Sequence, residues 1–101
     1  MNNKVIIRSE EAWVFYGTLE EKNDTQTGIE VKLSNCRRIW YWEGAATLSQ
    51  LSQEGTKFPE KCQFTVVVPE ITIEKVVEIL PCSEEGIKSI EEVPIWKLWL
   101  I

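Results

Sequence analysis

Alternation between apolar and polar side chains constrains the fold of this chain more than any other feature. Residues 12–20, 29–34 and 36–42 each repeat with a period of two. In an extended backbone this period sends successive side chains to opposite faces, so each stretch predicts a β-strand. A turn is expected at Ser34-Asn35, between the second and third stretches. Gly17 lies inside the first stretch and predicts a bend, a bulge or a close backbone approach.

The signals for helix ends predict two short helices. Thr47 and Gln50 have the spacing of a capping box, and the helix that they begin is expected to end before Gly55. Ser83 predicts the start of a second helix, because a serine oxygen can accept a hydrogen bond from a free N–H of the first turn. Pro94 is expected to end that helix.

Three further strands are expected at residues 4–8, 63–68 and 71–79. The apolar run 66–68 predicts a strand that is buried on both faces. In the last strand, one face is expected to carry four apolar side chains, which are Ile71, Ile73, Val77 and Ile79.

These elements predict an α+β fold with a single domain over residues 1–101. It is a small β-rich domain with about six mostly antiparallel strands and two short helices. The first four strands are similar to the start of an SH3-like or Sm-like barrel, and an open antiparallel sheet with both helices on one face is the competing layout. A chain of this length can bury a core without disulfide bonds.

The residue types disfavour catalysis and metal binding. The chain has no histidine, which removes the commonest general base and the commonest zinc ligand. It contains no phosphate-binding glycine loop and no nucleophile motif. We therefore expect no enzyme, no catalytic residue, no metal and no cofactor. The net charge of −5 disfavours a nucleic acid polymer as the partner.

The cysteines and the hydropathy indicate a cytoplasmic location. Cys36, Cys62 and Cys82 are scattered and show no C-x-x-C spacing, which favours buried thiols in a reducing compartment. No apolar run approaches the ~20 residues of a membrane-spanning helix, and no signal peptide is expected. A membrane partner is therefore not expected.

Residues 37–46 contain the parts of a small nucleotide site. Guanidinium groups bind phosphate in a bidentate manner, flat aromatic side chains stack on bases, and a glycine turn brings the backbone close to a ligand. Regular alternation places Arg38 beside Trp40 and Trp42, whereas Arg37 goes with Tyr41 on the other face. The candidate ligand-binding residues, in decreasing rank, are Arg38, Trp40, Trp42, Gly44, Ala45, Arg37 and Tyr41. The competing interpretation is that the aromatic residues form core and that the arginines pair with glutamates.

The C-terminal segment 95–101 is almost entirely apolar. Such a segment either docks on its own sheet as a last strand or forms a subunit interface. Trp96 and Trp99 are core residues in the first case and interface residues in the second. The second case agrees with a homo-oligomer.

Residues 37–51 read R-R-I-W-Y-W-E-G-A-A-T-L-S-Q-L. This string resembles the R-R-[IL]-W-Y-W-x-G-A-x-x-L-S-Q-L signature of a family of short uncharacterised bacteriophage proteins. The resemblance extends to residues 15–19, 62–66, 68–70 and 78–82, with Cys36 where the family usually has alanine.

The resemblance implies an early, accessory viral protein, and many such proteins act against host defence. One class consists of sponges that sequester nucleotide second messengers, including the cyclic oligonucleotides of CBASS immunity. A sponge needs arginines and aromatic side chains to bind a nucleotide, and residues 37–46 provide both. We therefore expect an anti-defence (anti-CBASS-type) sponge. It would be a homo-oligomer in the host cell cytoplasm that binds a cyclic dinucleotide or a related nucleotide.

Two other functions stay open at this point. One is a protein-interaction module that docks on and inhibits a host protein, with tryptophans as hot spots. The other is a single-stranded nucleic-acid-binding protein that uses the surface of an SH3-like or Sm-like barrel.

Overall fold

The computed structural model describes residues 3–98 of the chain. It confirms the predicted α+β class, with a five-stranded antiparallel sheet and two short helices. The strands are β1 (Lys4–Ser9), β2 (Trp13–Thr25), β3 (Gly28–Tyr41), β4 (Gln63–Phe64) and β5 (Val68–Pro81). The helices are α1 (Leu48–Glu54) and α2 (Glu84–Glu92), with a single 3-10 turn at Pro59–Lys61.

The four long strands pair in a closed cycle. The sheet order is β2-β1-β5-β3-β4, and β2 also pairs with β3. Every pairing between the named strands is antiparallel. The pairing therefore closes through β1, β2, β3 and β5 in the manner of a small barrel, and β4 extends it beyond β3.

The curled sheet separates two cores. Strand β1 is buried on both faces, because Val5 and Ile7 point into the cycle while Ile6 points toward the helices. The core inside the cycle consists of Val5, Ile7, Phe15, Val31, Leu33, Cys36, Ile73 and Val76. The helix-side core consists of Ile6, Tyr16, Ile39, Leu51, Cys62, Phe64, Cys82, Ile90 and Val93.

A bulge at Asn35 replaces the turn that the sequence predicted. Residues 29–34 and 36–42 were expected to form separate strands, but β3 runs through both up to Tyr41. Asn35 has a φ of 47°, and the pairing of β2 with β3 shifts where Gly17 faces it. The Gly17 prediction is confirmed, since a side-chain carbon there would lie 3.2 Å from the Cα of Cys36. The bulge reverses the alternation, so that residues after it change sides.

A second bulge changes the predicted face of β5. Lys75 has a φ of 55°, and the pairing with β3 shifts beside it. Beyond this point Val76 is buried, whereas Val77 is 49% exposed. The prediction that Val77 shares the buried face of Ile73 was therefore wrong, because the extra residue inverts the alternation locally. The pairing with β1 shifts again between Val76 and Glu78, so Ile79 packs against the same core as Ile71 and Ile73, as predicted.

The predicted strand over residues 63–68 is much shorter than expected. Strand β4 contains two residues of this range, Val68 pairs with Cys36 as the first residue of β5, and Val66 and Val67 are exposed. The prediction of burial on both faces was wrong because this segment lies at the edge of the sheet.

Both helices begin and end as predicted. The Thr47 hydroxyl accepts a hydrogen bond from the Gln50 N–H, as a capping box requires. The Gln50 side chain, however, reaches back to the N–H of Ala46 instead of that of Thr47. Gly55 follows α1 with a φ of 77°, and Ser83 caps α2 by accepting from the N–H of Gly86.

Residues 95–98 of the C-terminal segment dock on the sheet beside Phe64. Ile95 forms a parallel bridge with Phe64, and the Trp96 N–H donates to the Phe64 carbonyl. The side chains of Ile95 and Trp96 stay half exposed, and Leu98 is 85% exposed. Trp99, the other tryptophan of the predicted segment, lies outside the described residues.

The three cysteines are buried, as the sequence predicted, and none of them forms a disulfide bond. Within residues 3–98, no helix is long and apolar enough to cross a membrane.

Candidate functional site

Arg37 is a buried structural residue. Its side chain is 4% exposed, and its guanidinium carbon lies 5.4 Å from the centre of the Phe64 ring. Each of its five N–H groups donates to a main-chain carbonyl at 2.9–3.2 Å, and the acceptors are Thr65, Ile90, Val93, Phe64 and Pro94. No N–H of Arg37 is left for a ligand phosphate.

These bonds fasten the end of α2 to the edge of the sheet. The carbonyls of Ile90 and Val93 lie at the C-terminal end of the helix, where cations are favourable and carbonyls need donors. Burial lowers the pKa of Arg37, but a guanidinium keeps its proton because its ordinary pKa lies far above neutrality.

Arg38 lies on the opposite face of β3 and is exposed. Its guanidinium carbon lies 4.8 Å from the centre of the buried Phe15 ring, and Phe15 is its partner across the β2–β3 pair. With residues 3–98 considered, the guanidinium forms no hydrogen bond and no ion pair. The ring orients the guanidinium by a cation–π contact and leaves its N–H groups available.

Two exposed tryptophans form the next cross-strand pair on the same face of β2 and β3. The register that pairs Phe15 with Arg38 places Trp13 opposite Trp40, and their ring centres lie 4.7 Å apart with an angle of 17° between the planes. Trp13 is 55% exposed and Trp40 is 44% exposed. Arg38 and this tryptophan pair therefore lie next to each other on one face.

The backbone of Trp13 is strained. Its φ is 80°, a region that a bulky side chain rarely adopts and that costs of order 1–3 kcal/mol. Such strain at an exposed residue is typical of functional sites, where surrounding contacts impose an otherwise unfavourable conformation.

Ser9 supports the turn that presents Trp13. The buried Ser9 hydroxyl donates to the Glu74 carbonyl at 2.8 Å. It also accepts from the N–H groups of Glu11 and Ala12 at 3.4 and 3.2 Å. The turn between β1 and β2 is thereby held against β5.

A cleft of about 380 Å³ opens between this turn, β5 and Arg38, and we call it the Arg38 cleft. Its lining residues are Ser9, Glu11, Ala12, Phe15, Arg38, Ile71, Thr72, Ile73, Glu74 and Lys75. The volume lies at the small end of the range for small-molecule sites. One ion pair crosses the rim, from the Lys75 ammonium to the Glu11 carboxylate at 2.7 Å.

Trp42, Gly44 and Ala45 lie away from the Arg38 cleft. Strand β3 ends at Tyr41, so the alternation that grouped Trp42 with Trp40 does not continue. Trp42 packs against the helix-side core, and its indole N–H donates to the Ala45 carbonyl at 3.1 Å. Gly44, with a φ of 86°, packs closely against the backbone of residues 57–58. The structure thus separates Arg38 and Trp40 from the other five predicted site residues.

Tyr41 is exposed and donates a hydrogen bond to Glu43 at 2.7 Å. That bond raises the pKa of Tyr41. Tyr41 is not among the residues that line the Arg38 cleft.

Trp13 and Phe15 join the site, although the sequence did not single them out. Their alternation did predict a shared face, which the structure confirms. The missing information was the pairing partner, because alternation alone does not show which strand lies opposite.

The residues at the Arg38 cleft combine an arginine with an aromatic ring. Within residues 3–98, no group of three or more histidine, cysteine, aspartate or glutamate side chains could hold a metal ion. The Arg38 cleft is lined by the Arg38 guanidinium, which has no hydrogen-bond partner among residues 3–98, and by the Phe15 ring on which it lies.

A comparison with known families identifies the chain. The family model described as Domain of unknown function (DUF6948) matches residues 2–90, a range that includes every strand, α1 and the whole Arg38 cleft. No curated protein and no solved structure matches the chain. Because the family model covers most of the sequence, the protein belongs to the DUF6948 family.

Proposed function

We propose that this protein binds a nucleotide-type small molecule at the Arg38 cleft and sequesters it without catalysis. One observation carries the proposal: the guanidinium of Arg38 is fixed on Phe15 with its N–H groups available, beside the exposed Trp13–Trp40 pair. A phosphate and a base attached to each other need such a pair of neighbouring surfaces.

The energetics of the two contacts support this ligand class. Charge-assisted hydrogen bonds from a guanidinium to a phosphate are about twice as strong as neutral hydrogen bonds. Stacking of a base on an aromatic side chain contributes about 1–3 kcal/mol. Because Phe15 already holds the Arg38 side chain in place, little side-chain entropy is lost when the ligand binds.

The biological role that we propose is that of a bacteriophage counter-defence sponge for a nucleotide second messenger. The resemblance of residues 37–51 to short phage proteins supports this role. Sequestration in the host cytoplasm requires affinity and abundance, and it requires no catalytic group.

A homo-oligomer is part of the proposal. It is supported by the exposed apolar side chains of Ile95, Trp96 and Leu98. Val67 and Ile95 also line one cleft of about 260 Å³, which continues this apolar surface. Sedimentation equilibrium tests the expectation directly, and a monomer at all concentrations would contradict it.

Calorimetric titration against mononucleotides, cyclic dinucleotides and ADP-ribose derivatives tests the binding function. We expect at least one ligand to bind, and Arg38→Gln to weaken its binding by about tenfold or more. Arg8→Gln is the matched control, because Arg8 is exposed but pairs with Glu78 outside the cleft. Absence of binding below high micromolar concentrations across the panel would overturn the proposal.

A protein-docking surface is the second candidate, and the exposure of Trp13 and Trp40 favours it. Tryptophan is enriched at the centres of protein interfaces. This function predicts that a host protein is captured by the wild-type chain and not by Trp40→Ala, and that nucleotides give no heat of binding.

A further inference from the structure

The Arg38 cleft lies along an edge of strand β5. Residues 71–75 all line the cleft, although Ile71 and Ile73 pack on the core inside the strand cycle while Thr72 and Glu74 lie on the outer face. Consecutive residues with side chains on both faces share only the edge of the strand, with its main-chain N–H and C=O groups. We infer that this edge binds an extended peptide segment of another protein, which pairs with β5 as an added strand and places an acidic side chain on Arg38.

The register shows which edge of β5 is open. Strand β3 pairs with one edge over residues 68–76. Strand β1 pairs with the other edge only over residues 76–81. Among residues 3–98, no strand pairs with this second edge of residues 70–73, and no hydrogen bond reaches their main-chain groups from that side.

The chain leaves this edge at the turn between β1 and β2. The Glu10 N–H donates to the Lys75 carbonyl at 2.9 Å, and the Ser9 hydroxyl donates to the Glu74 carbonyl at 2.8 Å. The next residue of the turn, Glu11, lines the cleft together with Ser9. The cleft therefore lies on the β1 side of β5, where a peptide would continue the line of β1.

The open stretch is short and regular. Pro69 precedes it and has no N–H to donate, and the bulge at Lys75 follows it. Between them the pairing with β3 runs without a shift from Glu70 to Ile73. Prolines and bulges limit pairing at exposed edges, so these two features confine an added strand to residues 70–73 and leave that stretch able to pair.

The charge of Arg38 indicates the chemistry of the peptide. Its guanidinium lies on the inner face with Phe15 and forms no hydrogen bond and no ion pair within residues 3–98. A strand added beside β5 directs every second side chain to this inner face. An aspartate or glutamate at one such position can form a bidentate pair with the guanidinium, and the other inward side chains would meet the apolar surface of Ala12 and Ile71. Addition of an extended peptide to a sheet edge combines main-chain bonds for affinity with alternate side chains for specificity.

A random heptapeptide library selected against the full-length protein tests this inference, with the selected sequences measured as fluorescein-labelled peptides by fluorescence polarisation. We expect binders that contain an aspartate or glutamate, and Arg38→Gln should weaken their binding about tenfold. Arg8→Gln is the matched control and should leave it unchanged, because Arg8 pairs with Glu78 outside the cleft.

N-methylation of alternate peptide amides tests the strand geometry. Methylation of the set that faces β5 should weaken binding about tenfold or more, because those N–H groups are lost, whereas methylation of the other set should preserve it. Hydrogen exchange followed by NMR should show slower exchange at alternate amides of residues 70–73 when the peptide is bound.

Each contrary result has a definite meaning. Equal effects of the two methylated sets, or unchanged exchange at residues 70–73, would exclude strand addition at β5. An unchanged affinity in Arg38→Gln would exclude the acidic contact, and a selection that yields no binding peptide would overturn the inference as a whole. The inference goes beyond nucleotide binding and does not depend on it, so a failure of the nucleotide titrations leaves the peptide result intact.

Discussion

Arg37 and Arg38 are adjacent in sequence and lie on opposite faces of β3. Arg37 is buried and bonded to five main-chain carbonyls. Arg38 is exposed and contacts the Phe15 ring through its guanidinium. The arginine pair of the sequence therefore has one structural member and one member that is available to a ligand.

Loss of the Arg37 side chain is expected to destabilise the fold. Arg37→Met should lower the free energy of unfolding by about 3–5 kcal/mol, because buried carbonyls lose their donors. Arg37→Lys should recover only part of this loss, since an ammonium cannot reproduce the planar set of donors. Urea denaturation followed by circular dichroism measures both variants.

Arg8→Met is the control for that prediction. Arg8 forms an exposed ion pair with Glu78, and its loss should cost about 0–1 kcal/mol. A cost for Arg37→Met as small as that for Arg8→Met would contradict the structural role of Arg37.

The strained φ of Trp13 predicts an unusual order of two variants. Trp13→Gly and Trp13→Ala both remove the contact with Trp40, but only glycine relaxes at a φ of 80°. The glycine variant should therefore be more stable than the alanine variant by about 1 kcal/mol. At Lys22, which lies in the same strand without a positive φ, the order should reverse. Thermal unfolding of the four variants measures their stabilities. If the alanine variant is more stable than the glycine variant at both positions, Trp13 is not strained.

The bulge at Asn35 predicts sensitivity to β-branched residues. Asn35→Val should cost about 1–3 kcal/mol, because a branched side chain is unfavourable at positive φ, whereas Asn35→Gly should lie within about 1 kcal/mol of wild type. Glu30→Val is the control in β3, outside the positive-φ residues. Equal denaturation midpoints for Asn35→Val and Asn35→Gly would contradict the conformation of the bulge.

Two buried thiols predict a loss of stability at alkaline pH. Burial raises the pKa of Cys36 to about 12 and that of Cys82 to about 11, from an ordinary value of 9.0. Above the ordinary pKa the unfolded chain releases thiol protons that the folded chain retains, so the stability falls as the pH rises toward the folded pKa values.

The free energy of unfolding should therefore be lower at about pH 10 than at about pH 8, by up to about 1.4 kcal/mol per thiol. Urea denaturation at the two pH values measures this difference. Cys36→Ala should reduce the pH dependence, and an unchanged difference in that variant would exclude Cys36 as a source.

The helices were predictable because their signals are local. Thr47, Gln50 and Gly55 specify the ends of α1 within nine residues of sequence, and the structure confirms each of them. Ser83 and Pro94 do the same for α2. A cap acts through hydrogen bonds inside one turn, so it requires no knowledge of the tertiary fold.

The faces of the strands were less predictable because single residues reverse them. Asn35 and Lys75 each adopt a positive φ inside a strand. Asparagine tolerates this conformation and predicted a turn instead of a bulge, whereas lysine gives no signal for it. The burial of Arg37 was also hidden, since its acceptors come from residues 64–65 and 90–94, which only the tertiary fold brings together.

Strand β1 pairs along both of its edges, and this has a consequence for synthesis on the ribosome. Val5 faces Gly17 of β2 on one side and Pro81 of β5 on the other. The second edge of β1 is therefore covered only after β5, which ends at Pro81, has been synthesised. Until β5 emerges, the nascent chain carries an apolar strand with an open edge, which invites pairing with other chains. Closure of the strand cycle is thus a late and cooperative step, because it depends on contacts between distant parts of the sequence.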